Sequence, residues 1–356
     1  MLKIGILTSG GDCSGLNAAI SNVVKAATLK GWTVYGIHNG TEGLTERPLS
    51  YEILTLRNFS DTPWPKVAGS YLGSLNKGLK PGEIEVVAAR FAEGVKELGL
   101  DAVVVLGGDG SMSVLKKYCT LANIKMIGIP KTIDNDTPLT DVSLGFETAC
   151  QVCMESIDSI ETTARSHHRA IIVEAMGRDA GHLALRSAIA GGADVCLIPE
   201  IPYTIDGVIK KLKEVKATGR THAVIVVSEA IKTEEGGISS AFKNMVGEKV
   251  YGGIGEYLMN KLSERYDEFQ IRNMRLGHLQ RSGYPVYQDR IMAAVLGAYA
   301  VDLLDEGKTN VMVGFEGGKV TYFPLEKIAS SPSTTVDIHG TYVQTALKLG
   351  MYIGEI

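Results

Sequence analysis

The stretch Ala102-Val103-Val104-Val105-Leu106-Gly107-Gly108-Asp109-Gly110-Ser111 decides the fold class of this chain. Its first five residues are apolar without alternation, which is typical of a strand covered on both sheet faces. Glycines follow at once, and a helical pattern continues over residues 111–121. A buried strand, a glycine turn and a helix in this order predict one unit of a parallel α/β sheet.

The same order recurs along the chain. Apolar runs of strand length lie at residues 3–8, 33–37, 126–129, 170–173, 195–198 and 223–227. Helical patterns lie between many of them, at residues 16–29, 83–98 and about 146–163. We therefore predict an α/β protein with two doubly wound, mainly parallel-sheet domains and a boundary near residue 145.

Composition narrows the functional class. The 356 residues are 45% hydrophobic and 21% charged with a net charge of −4, as in an ordinary globular protein without nucleic-acid partners. Apolar runs are far shorter than the ~18 residues of a membrane helix, and residues 1–6 predict a strand rather than a signal peptide. Five cysteines without small-scaffold spacing favour a cytoplasmic protein.

The first glycine loop reads Thr8-Ser9-Gly10-Gly11-Asp12-Cys13-Ser14-Gly15, between a strand and a helix. Glycines there allow successive backbone N–H groups to converge on a phosphate at a helix N-terminus. A tight turn that merely needs glycine is the simpler alternative. The sequence contains neither GxxxxGK[ST] nor GxGxxG, which argues against a P-loop NTPase and an ordinary dinucleotide site.

The second glycine loop is Gly107-Gly108-Asp109-Gly110-Ser111. An acidic residue inside an anion-binding loop opposes phosphate binding unless a cation joins the phosphates. Asp109 is therefore a candidate Mg²⁺ ligand. Two such loops at the carboxyl ends of parallel strands lie where α/β sheets bind ligands, which favours a functional interpretation of both.

The third segment is Pro130-Lys131-Thr132-Ile133-Asp134-Asn135-Asp136, directly after a predicted strand. Of two carboxylates two residues apart, one can accept a proton from a hydroxyl while the other orients the substrate. Lys131 would supply positive charge to a phosphate. An Asx-rich turn is the alternative interpretation.

Cationic residues collect in the second half of the chain. Arg165, His167, His168 and Arg169 precede a strand, Met176-Gly177-Arg178 follows it, and Arg272, Arg275, His278 and Arg281 are spaced three apart. Such spacing also suits a solvated helix face, but the glycines at 277 and 283 argue against a regular helix. Arginines favour a sugar-phosphate pocket, and Glu229, at a strand end, could accept hydrogen bonds from sugar hydroxyls.

Five segments together resemble the 6-phosphofructokinase family over nearly the whole chain. They are Thr8-Ser9-Gly10-Gly11-Asp12, Gly107-Gly108-Asp109-Gly110-Ser111, Thr132-Ile133-Asp134-Asn135-Asp136, Met176-Gly177-Arg178 and Gly277-His278-Leu279-Gln280-Arg281. GGDG alone also occurs in NAD kinases and lipid kinases, whereas the set in this order is highly specific. The resemblance implies Mg²⁺-assisted phosphoryl transfer from ATP to the 1-hydroxyl of fructose 6-phosphate.

The resemblance also implies residue roles. Asp134 matches the catalytic base, Asp109 the Mg²⁺ ligand, and Thr132, Asp136 and Arg178 further catalytic positions. The donor phosphates would be bound by Gly11, Gly108, Gly110, Ser111, Lys77 and Lys131. The sugar phosphate would be bound by Thr132, Asp134, Asp136, Met176, Gly177, Arg178, Glu229, His278 and Arg281. Arg169 and Arg272 match arginines that reach in from a neighbouring subunit, which implies a homodimer or homotetramer.

The family fold implies a domain division. A donor-binding domain would comprise residues 1–145 plus about 280–330, and a sugar-phosphate-binding domain residues 146–279 plus about 331–356. The active site is expected in the cleft between them.

Donor choice depends on two positions. Gly110 is typical of ATP users, since a side chain there would crowd the nucleotide α-phosphate, whereas Lys131 is typical of diphosphate users. The steric argument favours ATP, with pyrophosphate as the alternative donor. A kinase for another acceptor, or a non-catalytic sugar-phosphate sensor, is a further alternative. The sensor is motivated by Asn76, where the family often has an arginine.

Overall fold

The computed structural model describes residues 1–75, 82–237, 242–243 and 249–356. The strands are β1 (Lys3–Ser9), β2 (Thr33–Ile37), β3 (Tyr51–Leu54), β4 (Ser74–Leu75), β5 (Ala102–Gly107), β6 (Lys125–Pro130), β7 (Arg169–Ala175), β8 (Val195–Leu197), β9 (Ala223–Ser228), β10 (Phe242–Lys243), β11 (Lys249–Val250), β12 (Gln270–Arg275), β13 (Val311–Glu316) and β14 (Lys319–Pro324).

The α-helices alternate with these strands over much of the chain. They are α1 (Leu16–Leu29), α2 (Glu42–Thr45), α3 (Arg57–Ser60), α4 (Glu83–Leu98), α5 (Asp109–Leu121), α6 (Phe146–His167), α7 (His182–Ala190), α8 (Ile205–Ala217), α9 (Ile254–Arg265), α10 (Tyr287–Asp305), α11 (Leu325–Ser330) and α12 (Thr341–Lys348). Short 3₁₀ helices cover Trp64–Lys66 and Gly277–Arg281.

The chain divides into two compact units. Unit 1 consists of Met1–Ile133, Thr137–Thr148 and Arg281–Thr334. Unit 2 consists of Asp134–Asp136, Ala149–Gln280 and Thr335–Ile356.

The sheet of unit 1 has the order β14-β13-β6-β5-β1-β2-β3. The central pairs from β13 to β2 are parallel, whereas β14 and β3 pair antiparallel at the two edges, and the short β4 pairs parallel with β1 beyond the main path. All six residues of β5 are buried, which explains its uninterrupted apolar sequence. On one face, Phe91 of α4 and Tyr118 of α5 pack with ring centroids 5.6 Å apart in the core.

A buried carboxylate caps the start of α6 within unit 1. Asp289 of α10 accepts hydrogen bonds from the backbone N–H of Gly145 (2.8 Å) and from both the N–H and the hydroxyl of Thr148 (2.8 and 2.5 Å). Burial raises the pKa of Asp289, and these hydrogen bonds oppose the rise. The cap satisfies N–H groups that the first helical turn leaves without an intrahelical acceptor.

The sheet of unit 2 is parallel throughout, in the order β12-β7-β9-β8. Its apolar strands pack against α8 and α9, whose buried residues include Leu212 and Leu258. The hydroxyl of Thr204 caps α8 by accepting a hydrogen bond from the N–H of Gly207 (3.0 Å). Separately, β10 and β11 form an antiparallel pair.

The predicted fold class is confirmed, since both units are α/β with mainly parallel sheets. The edge strands β3, β12 and β14 were not predicted. In β12 four of six residues are exposed, so polar side chains mask the strand pattern. No helix in the described part of the chain is long and apolar enough to cross a membrane.

Candidate active site

In unit 1 the two glycine loops lie side by side. Parallel pairing of β1 with β5 brings their carboxyl ends to one edge of the sheet. There the hydroxyl of Ser9 donates to that of Ser111 (3.0 Å), and the hydroxyl of Ser74 donates to the carbonyl of Gly10 (2.6 Å). Gly10 has φ +85°, a left-handed conformation that disfavours other residues. A side-chain hydrogen bond therefore joins the two loops at this edge of the sheet.

Two cationic side chains reach the first loop. The buried Lys131 donates from Nζ to the carbonyl of Gly11 (2.6 Å), and Arg281 donates from Nη1 to the carbonyl of Asp12 (2.8 Å). A Cβ atom at Gly11 would collide with the Arg281 guanidinium. Glycine at position 11 is therefore needed for the close approach of Arg281. Arg281, expected at the sugar phosphate, contacts the first glycine loop within unit 1.

Gly110 differs from Gly11 because the described fold does not require it. An added Cβ there would have no atom of the described residues within 4 Å, and Gly110 is absent from the residues with positive φ. It lies in the first turn of α5 and is exposed. The chain would accommodate a side chain at this position.

Asp109 begins α5 and has the donor chemistry for Mg²⁺. Its Oδ1 accepts a hydrogen bond from the N–H of Gly110 (2.7 Å), and its Oδ2 accepts one from the hydroxyl of Ser333 (3.4 Å). Among the described residues, no group of three or more His, Cys, Asp or Glu side chains could hold a metal. One carboxylate fits Mg²⁺, which takes one or two carboxylates and completes its shell with phosphates and water. A site with only protein ligands is not formed.

The third segment continues from β6. The N–H of Lys131 donates to the carbonyl of Gly107 (3.1 Å) and that of Thr132 to the carbonyl of Leu144 (3.2 Å), which fixes the backbone beside the second loop. Asp134 and Asp136 are buried, and Asn135 between them has φ +53°, a conformation that asparagine tolerates. Two buried carboxylates therefore flank a left-handed turn.

In unit 2 the predicted residues 176–178 follow β7. Gly177 has φ +144°, and its Cβ would lie 2.5 Å from the carbonyl oxygen of Ala180, so only glycine fits. Arg178 has φ +50° and an exposed side chain, and its N–H donates to Oε1 of Glu229 (3.3 Å). The N–H of Glu229 in turn donates to the carbonyl of Ala175 (2.8 Å).

Glu229 has an unusual acidity. Burial, followed by the charge of Asp134, raises the pKa of Glu229 to about 7. The Arg178 N–H and the Arg275 guanidinium lower it, and Glu174 raises it. The carboxyl therefore changes charge near neutral pH, which makes Glu229 a candidate functional residue.

The sequence predicted no role for Gln280, which the structure places beside Met176 in unit 2. Its Oε1 accepts from the N–H of Met176 (3.0 Å) and from the thiol of Cys153 (3.2 Å), and its Nε2 donates to the carbonyl of Gly277 (3.0 Å). The side chain is buried. Gln280 thus fastens the segments 176–178 and 277–281 to each other. The signal was its position within a segment already singled out.

Three further predicted sugar-phosphate residues lie on β7, on β12 and in the second 3₁₀ helix. Arg169 begins β7, seven residues before Met176, so a strand rise of about 3.3 Å per residue separates them by roughly 23 Å. Arg272 lies on β12 opposite Ile171, and its Nη1 donates to the carbonyl of Ile271 (3.2 Å). His278 is exposed in the 3₁₀ helix. Within one chain, Arg169 and Arg272 therefore lie away from the segment 176–178.

Lys77 and Asn76 lie outside the described residues. The five cysteines are all described and all free thiols.

A parallel sheet with glycine loops at its strand ends, contacted by the cations Lys131 and Arg281, is typical of an α/β phosphate-binding protein. The family model described as Phosphofructokinase matches residues 3–304. The chain belongs to the phosphofructokinase family, and the resemblance found in the sequence is confirmed.

Curated relatives match nearly the whole chain. It is 42% identical over 360 residues to "ATP-dependent 6-phosphofructokinase 1" of Synechocystis sp., covering 99% of this chain and 98% of that protein. It is 38% identical over 366 residues to "ATP-dependent 6-phosphofructokinase 2" of Clostridium perfringens, covering 99% and 98%.

Solved structures share the fold. Phosphofructokinase from Saccharomyces cerevisiae has a TM-score of 0.79 at 27% identity, covering 92% of this chain and 45% of that one, so the chain spans less than half of the yeast chain. A pyrophosphate-dependent phosphofructokinase from Marinobacter aquaeolei has a TM-score of 0.79 at 22% identity, covering 99% and 88%. The second likeness concerns the fold alone.

Proposed function

We propose that this protein is an ATP-dependent 6-phosphofructokinase, which transfers the terminal phosphoryl group of ATP to the 1-hydroxyl of fructose 6-phosphate. The products are fructose 1,6-bisphosphate and ADP. Curated relatives of that name, similar over almost their full length, support the activity. The structural observation that carries the choice of donor is Gly110, a glycine that the described fold does not need. A requirement for ligand space explains it.

The residues of unit 1 bind the donor in this proposal. Gly11, Gly108, Gly110 and Ser111 offer backbone N–H groups and a hydroxyl to the phosphates. Lys131 and Arg281, which already contact the first loop, add positive charge next to it. Phosphoryl transfer asks a protein mainly for positioning and neutralisation of charge, and both are available here.

The residues of unit 2 bind the acceptor. Asp136, Met176, Gly177, Arg178, Glu229 and His278 contact the sugar phosphate. Carboxylates accept hydrogen bonds from sugar hydroxyls, and the exposed Arg178 side chain can pair with the anion. Burial of Asp136 and Glu229 makes these hydrogen bonds strong because water competes poorly.

Asp134 acts as the general base. As the 1-hydroxyl oxygen forms its bond to the terminal phosphorus, the bond from phosphorus to the bridging oxygen of ATP breaks. The hydroxyl proton passes to Asp134, and ADP departs. Arg178 stabilises the negative charge on the transferred group. Asp109 would hold Mg²⁺, which supplies neutralisation of phosphate charge when bound.

The protein works as a homodimer or homotetramer in the cytoplasm in this proposal. Arg169 and Arg272 would bind the sugar phosphate in a neighbouring subunit. Their distance along the strands from Met176 within one chain supports that assignment.

Pyrophosphate is the second candidate donor, and Lys131 favours it. The ammonium already donates to the carbonyl of Gly11, so its charge is available to a compact diphosphate at the first loop. Pyrophosphate is smaller than ATP and would not need the open space beside Gly110. We therefore prefer ATP as the donor.

Initial rates with fructose 6-phosphate and Mg²⁺, with ATP or pyrophosphate in parallel assays, test the proposal. We expect turnover with ATP, none above background with pyrophosphate, and loss of turnover with EDTA. Turnover with pyrophosphate alone would reverse the donor assignment. Binding of fructose 6-phosphate without turnover from either donor would indicate a sensor, and turnover only with another sugar phosphate would indicate an altered acceptor.

A further inference from the structure

A buried carboxylate ties β7 to the start of α9. Glu174, the penultimate residue of β7, accepts hydrogen bonds from the N–H groups of Gly253 (3.2 Å) and Gly255 (2.9 Å). Its side chain is only 2% exposed. A negative charge at a helix N-terminus is favourable, but burial of a carboxylate is costly unless a cation accompanies it.

That cation is Arg275, the last residue of β12. Parallel pairing places Arg275 opposite Glu174, and its Nε lies 3.3 Å from Oε1 of Glu174. Its Nη2 donates to the carbonyl of Tyr251 (2.8 Å) and lies 4.0 Å from Oε2 of Glu229. The guanidinium of Arg275 therefore contacts the buried carboxylate of Glu174 and the backbone that leads into α9. It also lies near the carboxylate of Glu229, a residue of the proposed acceptor site.

The backbone is shaped around this guanidinium. Gly252 has φ +142°, and a Cβ atom at that position would collide with the guanidinium of Arg275. The following Gly253 also has positive φ (+85°) and is the N-cap residue of α9. The segment 251–255 can pass this close to Arg275 only because it carries no side chain at position 252.

We propose that Arg275 is a positioning residue of the acceptor site, whose guanidinium holds Glu229 and the segment 251–255 in the arrangement that binds fructose 6-phosphate. The inference rests on the proposed function and extends it to a residue that is not expected to touch the substrate. Arg275 acts through Glu229, which faces it directly.

The charges around Glu229 explain why the loss of Arg275 would be felt. Asp134, after β6, and Glu174, on β7, act on Glu229 with negative charge, whereas Arg275 supplies positive charge and Arg178 a backbone N–H. Tyr251, whose hydroxyl donates to Asp179 (2.5 Å), also senses the charge of Glu229. Without the guanidinium, Glu229 binds its proton more readily, and the neutral carboxyl is a weaker acceptor for sugar hydroxyls near neutral pH.

The test compares Arg275→Met, Arg275→Lys and the control Arg265→Met, an arginine of α9 in an exposed ion pair with Asp206. We expect R275M to raise the KM for fructose 6-phosphate roughly tenfold or more with an unchanged KM for ATP. The acid limb of kcat/KM against pH should move to higher pH. R275K should show a smaller effect of the same kind, because an ammonium keeps the charge but not the forked geometry. R265M should match the wild type.

Melting temperatures establish that each variant is folded. If R275M does not fold, R275K is compared with R265M instead. An R275M enzyme with the KM and pH profile of R265M would overturn the inference. So would an equal loss of kcat/KM for both substrates with an unmoved pH profile, which is the mark of a purely structural role. If the wild type shows no turnover, the proposed activity fails. In that case, calorimetric titration measures the affinity of the wild type and of R275M for fructose 6-phosphate. Equal affinities, or no binding by either protein, would overturn the inference.

Discussion

The two groups of site residues are held in place by different means. In unit 1 the glycine loops are defined by backbone conformation, and Lys131 and Arg281 reach them by donating to carbonyl oxygens. In unit 2 the segments are fastened by buried side chains such as Gln280 and Glu174. The first arrangement is sensitive to added volume, and the second to the loss of a hydrogen bond or a charge. Substitutions at the two kinds of position separate these sensitivities.

The largest effect is expected at Asp134, whose carboxylate takes the proton of the acceptor hydroxyl. Replacing it with Asn keeps the volume and removes the base, so kcat should fall about 10³-fold while the affinity for ATP is retained. Steady-state kinetics measure this loss. Asp158→Asn, an exposed change on α6, serves as the control and should leave the rate unchanged. If the kcat of D134N were within about threefold of the wild-type kcat, Asp134 would not be the base.

The next effect separates Gly110 from Gly11. Gly110→Asp should lower kcat/KM for ATP by about 100-fold, since the side chain occupies ligand space, with a melting temperature no lower than that of the wild type. Gly11→Ala should instead lower the free energy of unfolding by about 1 kcal/mol, because its Cβ displaces the Arg281 guanidinium and with it the hydrogen bond to the carbonyl of Asp12. Kinetics and urea unfolding measure the pair. Equal destabilisation by both changes would contradict the steric distinction.

Gln280 tests the second kind of sensitivity. Gln280→Leu leaves the N–H of Met176 and the carbonyl of Gly277 without their partner, which should lower the free energy of unfolding by about 2–4 kcal/mol. The KM for fructose 6-phosphate should rise while that for ATP holds. Gln280→Glu keeps an acceptor for Met176 and should be milder in KM. An unchanged KM for the sugar phosphate in a folded Q280L protein would mean that the segments do not depend on this amide.

The fold class could be predicted because its evidence is local. Each of the strands β1, β5 and β6 is marked by an apolar run of a few residues. Glycines follow β1 and β5, and the left-handed conformation of Gly10 is one that glycine adopts readily. The contact from Gln280 to Met176 spans 104 positions, and no local pattern signals it. Similarly, the three-residue spacing of Arg272 and Arg275 also suited a solvated helix face, whereas both residues lie on edge strand β12, in which four of six residues are exposed. The sequence therefore did not predict which residues these side chains contact.

The smallest effect concerns pH and Glu229. Its pKa in the folded protein is about 7, above the ordinary value of 4.5, so folding favours the protonated form. The stability contribution of this group is therefore complete below about pH 4.5 and is lost as the pH rises through 7. Glu229→Gln, which mimics the neutral acid, should be more stable than the wild type by at most about 3 kcal/mol at pH 8.5, with the difference shrinking toward pH 5. Urea unfolding at the two pH values measures it, and a constant difference would refute the assigned pKa.

The fate of the transferred group tests the central claim most directly. ³¹P NMR of a reaction containing fructose 6-phosphate, ATP and Mg²⁺ follows each phosphorus atom. We predict loss of the γ-phosphate signal with matching appearance of ADP and of a second sugar-phosphate ester at carbon 1. Release of the γ-phosphate as inorganic phosphate, or an ester at any other carbon, would contradict the assignment of this chain as a 6-phosphofructokinase.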